Sequence, residues 1–149
     1  MARPERAEEL ARLRQQSPIE TPRSEESVYQ AYLLLYVGFI AAPVIAGADK
    51  FFHLLSTWHE YLAPQVSRLT GLEPQTFMMG VGVIEIVAGL IVAWKPKIGG
   101  LIVGLWLCGI VVNLLMLGKF YDVALRDVGL ALGAFALSRL ADTVESRRA

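Results

Sequence analysis

A long apolar run, residues 77–94, carries a single ionisable residue, Glu85, near its middle. At a rise of 1.5 Å per residue, about 18 residues cover most of the ~30 Å hydrocarbon core of a bilayer. A soluble amphipathic helix would show a polar residue every three or four positions, and this run shows one. The run therefore predicts a transmembrane helix. Because a carboxylate in lipid is costly, Glu85 should face protein or water and needs a partner.

Composition supports a membrane protein. Of the 149 residues, 54% are hydrophobic and 19% are charged, which is too apolar for an ordinary soluble domain. The 14 basic and 14 acidic residues cancel, so no nucleic-acid-binding surface is indicated. A single cysteine, Cys108, excludes an internal disulfide and a Cys-x-x-Cys redox pair. The first apolar run follows a charged leader and is too long for a cleavable signal peptide, so we expect it to stay in the membrane.

Four apolar segments predict an all-α, integral membrane bundle with up-down-up-down topology. The predicted spans are residues 28–48, 77–94, 98–117 and 123–140. A charged leader, residues 1–27, precedes them, and a polar tail, residues 141–149, follows. Ten of the 14 Lys and Arg residues lie in the leader, in the turn at residues 95–97 and near the C-terminal end. The positive-inside rule therefore places both termini in the cytoplasm.

Residues 49–62 predict a short amphipathic helix between the first two spans. At 100° per residue its apolar side chains share one arc, and the polar ones lie opposite. This helix is too short to cross the bilayer, so we expect it to lie in the interface, with Trp58 and Tyr61 as anchors. His53 and His59 are then interfacial histidines. They are six residues apart and do not form an i,i+4 metal pair, so no metal site is predicted.

The strongly polar residues of the predicted spans, except Arg139, gather in the non-cytoplasmic half of the bilayer. Glu85 lies ~12 Å and Asn113 ~6 Å below the outer ends of their helices. Gly82, Glu85 and Gly89 share one helical face, which directs the carboxylate into the bundle. We therefore expect one buried polar cluster. Its members are Glu85, Arg126, Asp127, Asn113 and Lys50.

Two interpretations of this cluster fit the sequence. The first is structural, a charge pair that fixes the order of the helices. The second is functional, either the polar end of a pocket for a quinone or another small amphiphile or part of a proton path. The sequence has no Ser-His-Asp order, Gly-rich phosphate loop or zinc-ligand spacing. It therefore does not indicate an enzyme that acts on its own.

Three short motifs resemble the DoxX-like family of small four-helix membrane proteins. They are the series G-A-D-K-F at residues 47–51, the membrane carboxylate Glu85, and the pair Arg126-Asp127 that opens the last span. The resemblance implies an accessory subunit that anchors or assembles a larger redox or energy-converting complex in a prokaryotic inner membrane. It also implies contact with other subunits of that complex and a quinone as the candidate ligand. The matching positions are Lys50, Glu85, Arg126 and Asp127.

Two alternative functions belong to other classes. In the first, the chain is a stand-alone quinone-reactive oxidoreductase subunit, with Glu85 as proton acceptor and Arg126 as electrostatic clamp. In the second, it is a small proton-coupled transporter. Four spans without an inverted repeat disfavour the transporter.

Overall fold

Long helices account for most of residues 22–146, the part of the chain that the computed structural model describes. Within this part the fold is all-α, as the sequence predicts. In chain order the α-helices are α1 (Pro22–Phe52), α2 (Pro64–Thr70), α3 (Pro74–Trp94), α4 (Pro96–Leu117) and α5 (Tyr121–Ser146). A 3-10 helix, Trp58–Tyr61, lies between α1 and α2.

Three of these helices are long and apolar enough to cross a membrane: the Glu25–Phe52 part of α1, together with α3 and α4. Their composition fits a multi-pass membrane protein in contact with lipid. Helix α5 has 26 residues, but Arg126, Asp127 and Arg139 interrupt its apolar stretch. Composition alone therefore does not identify α5 as a span, and the predicted crossing at residues 123–140 stays a prediction.

The helices extend beyond the predicted spans at several ends. Helix α1 begins at Pro22, inside the predicted leader, whose residues 1–21 lie outside the described part. Helix α5 continues to Ser146 through most of the predicted tail, and residues 147–149 again lie outside it. Pro74 and Pro96 open α3 and α4, where a missing backbone N–H costs nothing.

The predicted amphipathic helix over residues 49–62 does not form as a single helix. Helix α1 runs on to Phe52, and His53 then takes a positive φ of 56°. Residues 53–57 are not helical, and the 3-10 helix follows. The break is stabilised by the Asp49 carboxylate, which accepts hydrogen bonds from the backbone N–H groups of Leu54 and Leu55 at 2.9 and 3.0 Å. A side chain thus replaces the carbonyl acceptors that a continued helix would supply.

Helices α1 and α3 run antiparallel and come very close together at two glycines. A Cβ atom on Gly47 would lie 2.6 Å from the Gly82 carbonyl oxygen, and a Cβ atom on Gly82 would lie 2.6 Å from the Gly47 carbonyl oxygen. Neither position has room for a side chain, so glycine is required at both. At the other end of the contact between α1 and α3, the Tyr36 hydroxyl donates a hydrogen bond to the Ala93 carbonyl at 2.8 Å.

Helix α5 packs along α4 and also touches α1. A Cβ atom on either of two glycines of α4 would collide with α5: Gly100 faces the Ala134 carbonyl oxygen, and Gly104 faces the Phe135 ring. The apolar core lies nearer the end where α3 turns into α4, and all four long helices contribute to it. Its buried residues are Phe39, Ala88, Val92, Val103, Ala134 and Leu137. The opposite end, where α1 ends and α3 begins, is called the outer end below.

We expect Gly47→Ala to destabilise the protein by about 1–3 kcal/mol, because the added methyl group overpacks the contact with α3. The measurement is thermal unfolding of the purified protein in one detergent, followed by circular dichroism. Gly38→Ala is the matched control on the same helix, since nothing lies within 4 Å of its Cβ position. Alanine is the better helix former, so the control should be neutral or slightly stabilising. Equal melting temperatures for the two variants would contradict the close contact.

Candidate functional site

A buried ion pair joins α1 to α3 towards the outer end. The Nζ atom of Lys50 lies 2.6 Å from Oε2 of Glu85, and only 3% and 10% of the two side chains are exposed. Lys50 follows Gly47 by three positions, and Glu85 follows Gly82 by three. Because three residues make about one helical turn, each charged group shares a face with its glycine, where the helices are closest. The pair is neutral as a whole, which lowers the cost of burying either charge.

The chain after α1 folds back over Lys50. The Lys50 ammonium group lies 3.9 Å from the centroid of the Trp58 ring, the geometry of a cation–π interaction. The Trp58 indole N–H donates a hydrogen bond to Oδ2 of Asp49 at 2.7 Å. The same carboxylate accepts the backbone N–H groups of Leu54 and Leu55. Two consecutive residues therefore have separate tasks: Asp49 holds the loop, and Lys50 binds α3.

Asn113 holds the far end of this loop. Its Nδ2 donates to the Tyr61 carbonyl at 2.6 Å, and its Oδ1 accepts the Ala63 N–H at 3.0 Å. The Tyr61 ring packs against Phe120, with 4.5 Å between ring centroids. The side-chain amide of Asn113 thus binds the backbone of residues 61–63, and the structure does not bring it into the ion pair with Glu85.

Arg126 and Asp127 form a second, separate pair. The Nη2 and Nε atoms of Arg126 each lie 3.1 Å from Oδ1 of Asp127. The Asp127 side chain is only 6% exposed, whereas 64% of the Arg126 side chain is exposed. The arginine head group therefore lies at the surface of the bundle. The five predicted cluster members therefore do not form one cluster: Lys50 pairs with Glu85, Arg126 pairs with Asp127, and Asn113 bonds to the loop backbone.

The four aromatic and histidine residues predicted to lie in the interface divide into two groups. His53 and His59 are exposed, and the Nε2 atom of His53 lies 2.6 Å from the side-chain amide nitrogen of Gln75. Trp58 and Tyr61 are partly buried, where Trp58 covers Lys50 and Tyr61 packs against Phe120, and their role as membrane anchors stays a prediction. Within residues 22–146, no group of three or more His, Cys, Asp or Glu residues could hold a metal ion.

A shallow apolar groove lies between α3 and α4, next to the ion pair. Its volume is about 310 Å³, and its walls are Ile84, Ala88, Ile102, Leu105 and Trp106. The buried indole N–H of Trp106 lies near the Glu85 carboxylate but makes no hydrogen bond within the described residues. Trp106 therefore separates the groove from the ion pair. The walls of the groove are apolar, and Trp106 is the lining residue that lies near Glu85.

Sequence reasoning missed Asp49 as an organising residue of the site. A carboxylate in the last turn of a helix is unfavourable, because that end of the helix carries partial negative charge. An acid at this position therefore indicates that specific donors compensate it, and here they are Trp58 and the N–H groups of Leu54 and Leu55. The signal available in the sequence was an acidic residue, Asp49, directly before Lys50 at the end of the first predicted span.

No family model, curated protein or solved structure matches this chain.

We expect Lys50→Met and Glu85→Leu each to destabilise the protein by about 3–5 kcal/mol, because each leaves one buried charge without its partner. The double variant should lose less than either single variant, since it buries no charge. The measurement is a double-mutant cycle of unfolding free energies in one detergent.

Lys97→Met is the control for this cycle. Lys97 pairs with Asp142, but both side chains are more than half exposed. An exposed pair contributes only about 0–1 kcal/mol, so this variant should stay close to the unmodified protein. Additive losses in the Lys50 and Glu85 cycle would show that the two residues do not interact energetically.

Proposed function

We propose that this chain crosses a prokaryotic inner membrane four times, with both termini in the cytoplasm, and serves as a DoxX-like accessory subunit of a larger redox or energy-converting complex. In this role it anchors or assembles the complex and has no catalytic activity of its own. Three observations support the proposal: the ion pair that Glu85 forms with Lys50, the packing of α5, and the glycines exposed on the surface of the bundle.

The Lys50–Glu85 ion pair is the observation that carries the proposal. A proton acceptor needs a carboxylate that can exchange protons, and Glu85 is instead held at 2.6 Å by a buried ammonium group. Trp58 covers that ammonium group, and Asp49 holds Trp58 in place. Each of these groups has a partner within the chain. The arrangement favours a charge pair that fixes the positions of α1 and α3 over an acid that takes part in chemistry.

The packing of α5 supports a fourth crossing. At one end Asp142 pairs with Lys97 at the start of α4, and the Ser138 hydroxyl donates to the Lys97 carbonyl at 2.7 Å. In its middle, Gly133 of α5 lies against the Phe39 ring of α1. A helix that runs beside two membrane-spanning helices over such a length shares their depth. At 1.5 Å per residue its 26 residues extend about 39 Å, enough to cross a bilayer.

Glycines exposed on the lateral surface of the bundle support contact with other subunits. Gly38 of α1, Gly109 of α4 and Gly129 of α5 have nothing within 4 Å of their Cβ positions. Inside a membrane, small residues allow a helix from another chain to approach closely, whereas a lipid-facing position does not require them. We infer that these faces accept helices from partner subunits.

We expect fluorescent-protein fusions to report cytoplasmic locations for both ends of the chain, because four crossings return the chain to its starting side. The measurement compares N-terminal and C-terminal fusions to green fluorescent protein, which is dark when exported unfolded across the bacterial inner membrane. A fusion placed after residue 118, between α4 and α5, is the control and should be dark. A dark C-terminal fusion would contradict the fourth crossing.

We expect purification of the tagged chain in a mild detergent to recover other membrane subunits in a fixed ratio. Their presence is measured by gel filtration and mass spectrometry, and a redox-active subunit should be among them. Glu85→Gln should weaken thermal stability and should not change any activity of the recovered complex per assembled particle. Migration of the chain on its own would contradict the accessory role.

The apolar groove beside Trp106 favours one alternative, a quinone-reactive subunit. An apolar body in this groove would lie one side chain away from Glu85. The same purified protein tests this function: if the isolated chain oxidises a reduced quinol and Glu85→Gln abolishes that activity, the alternative replaces the accessory role.

A further inference from the structure

An exposed apolar patch marks the point where α1 ends. The exposed fractions of Phe52, Leu54 and Leu55 are 71%, 84% and 67%. The helical arc predicted from the sequence placed the leucines on one face with Trp58 and Tyr61. The break after Phe52 divides that face, so the two aromatic residues turn inward while Phe52, Leu54 and Leu55 point away from the bundle. This patch is not explained by the ion pair or by the packing of the helices.

The patch lies beside the spans and not beyond their ends. The Phe51 ring packs against Gly82, where a Cβ atom would lie 3.1 Å from the ring. Gly82 is eight residues, or about 12 Å, from the start of α3 at Pro74. On the other side, Asn113 holds residues 61–63 one turn before the end of α4 at Leu117. Counted from the Gly47–Gly82 contact, five residues, about 7.5 Å, lead to the end of α1 at Phe52, and eight residues, about 12 Å, lead back to Pro74. Helix α1 therefore ends about one helical turn below the outer end of α3, and the next residue, His53, contacts Gln75.

Non-helical backbone at this depth needs its polar groups satisfied, because lipid offers no hydrogen bonds. The Asp49 carboxylate accepts the N–H groups of Leu54 and Leu55, and the Asp49 carbonyl accepts the His53 N–H at 2.7 Å. The N–H groups of Leu54 and Leu55, which lie beyond the end of α1, are thus bonded to the Asp49 side chain, while the His53 N–H makes the ordinary i→i−4 bond. The turn can face hydrocarbon without exposing these donors.

We propose that residues 51–55 form a re-entrant turn whose side chains Phe52, Leu54 and Leu55 lie among the lipid acyl chains, and that Asp49 makes this possible. The patch is continuous with the exposed apolar surface of α1, which includes Phe51 and Ile45. The lipid that covers that surface therefore also covers the turn. The proposal rests on the membrane-spanning helices and does not depend on an accessory role or on partner subunits.

The experiment uses the full chain with Cys108→Ala, Leu54→Cys and an environment-sensitive fluorophore on the new cysteine. The protein is reconstituted into phosphatidylcholine vesicles, with iodide supplied on both sides or with nitroxide-labelled acyl chains in the bilayer. We expect blue-shifted emission, strong quenching by the nitroxide lipids and little quenching by iodide. Phe52→Cys is a second labelling site with the same expected result. Glu60→Cys is the matched control, since Glu60 is exposed on the 3-10 helix. We expect iodide to quench it.

Asp49→Leu tests the second half of the proposal in the Leu54-labelled protein. Without the carboxylate, the turn should leave the hydrocarbon, so iodide quenching should rise to the level of the Glu60 control. Asp49→Asn keeps one acceptor oxygen and should give an intermediate value. Unchanged quenching in Asp49→Leu would overturn the role of Asp49.

Strong iodide quenching at Leu54 and Phe52 in pure lipid vesicles would overturn the lipid contact. Protection in native membranes combined with iodide access in pure lipid would assign the patch to a protein partner and would also overturn it. Because the vesicles contain no other subunit, the first result leaves the accessory role untouched, whereas the second would support contact with a partner subunit.

Discussion

The close contact between Gly47 and Gly82 determines what the outer part of this bundle can contain. Because neither glycine has a side chain, the backbones of α1 and α3 approach until each carbonyl oxygen occupies the other residue's Cβ direction. At this separation the side chains of Lys50 and Glu85, which start one turn to either side of the glycine contact, meet without leaving the interior. With larger residues at either glycine the helices would separate, and two charges would be buried apart. The small residues and the charged residues therefore form one structural unit.

A buried ion pair of this kind adds specificity more surely than it adds stability. Two charges removed from water regain much of that cost from each other, but well-packed apolar residues could serve equally well for stability. What apolar residues do not provide is a single register. Glu85 is the one charged residue in the sequence of α3, so sliding α1 by one turn would bury it without its ammonium partner. We infer that the pair selects one relative height of the two helices, and that this height positions the loop after Phe52.

Features that one helix determines could be predicted from the sequence, and features that depend on two helices could not. The apolar lengths gave α3 and α4 to within a few residues, and helical periodicity placed Gly82, Glu85 and Gly89 on a buried face, which the structure confirms. The sequence offered Glu85 two cations, Lys50 and Arg126, with no means of choosing between them. The choice depends on α1 continuing past residue 48. The break at His53 was also hidden, because no Gly or Pro marks it and its stabilising group, Asp49, lies earlier in the chain.

The two ion pairs that involve α5 show why hydropathy is a poor guide to whether that helix lies in the membrane. Asp127 is buried, but Arg126 beside it extends to the surface of the bundle and brings a compensating charge with it. Asp142 is likewise paired with Lys97, at the end of the bundle where α4 begins. A hydropathy value counts all of these residues as though each entered lipid alone. Paired and placed near the helix ends, they cost much less, because long basic side chains can keep their head groups at the interface. The packing of α5 against α1 and α4 is therefore better evidence for its depth than its composition is, and it is the observation that supports the proposed fourth crossing.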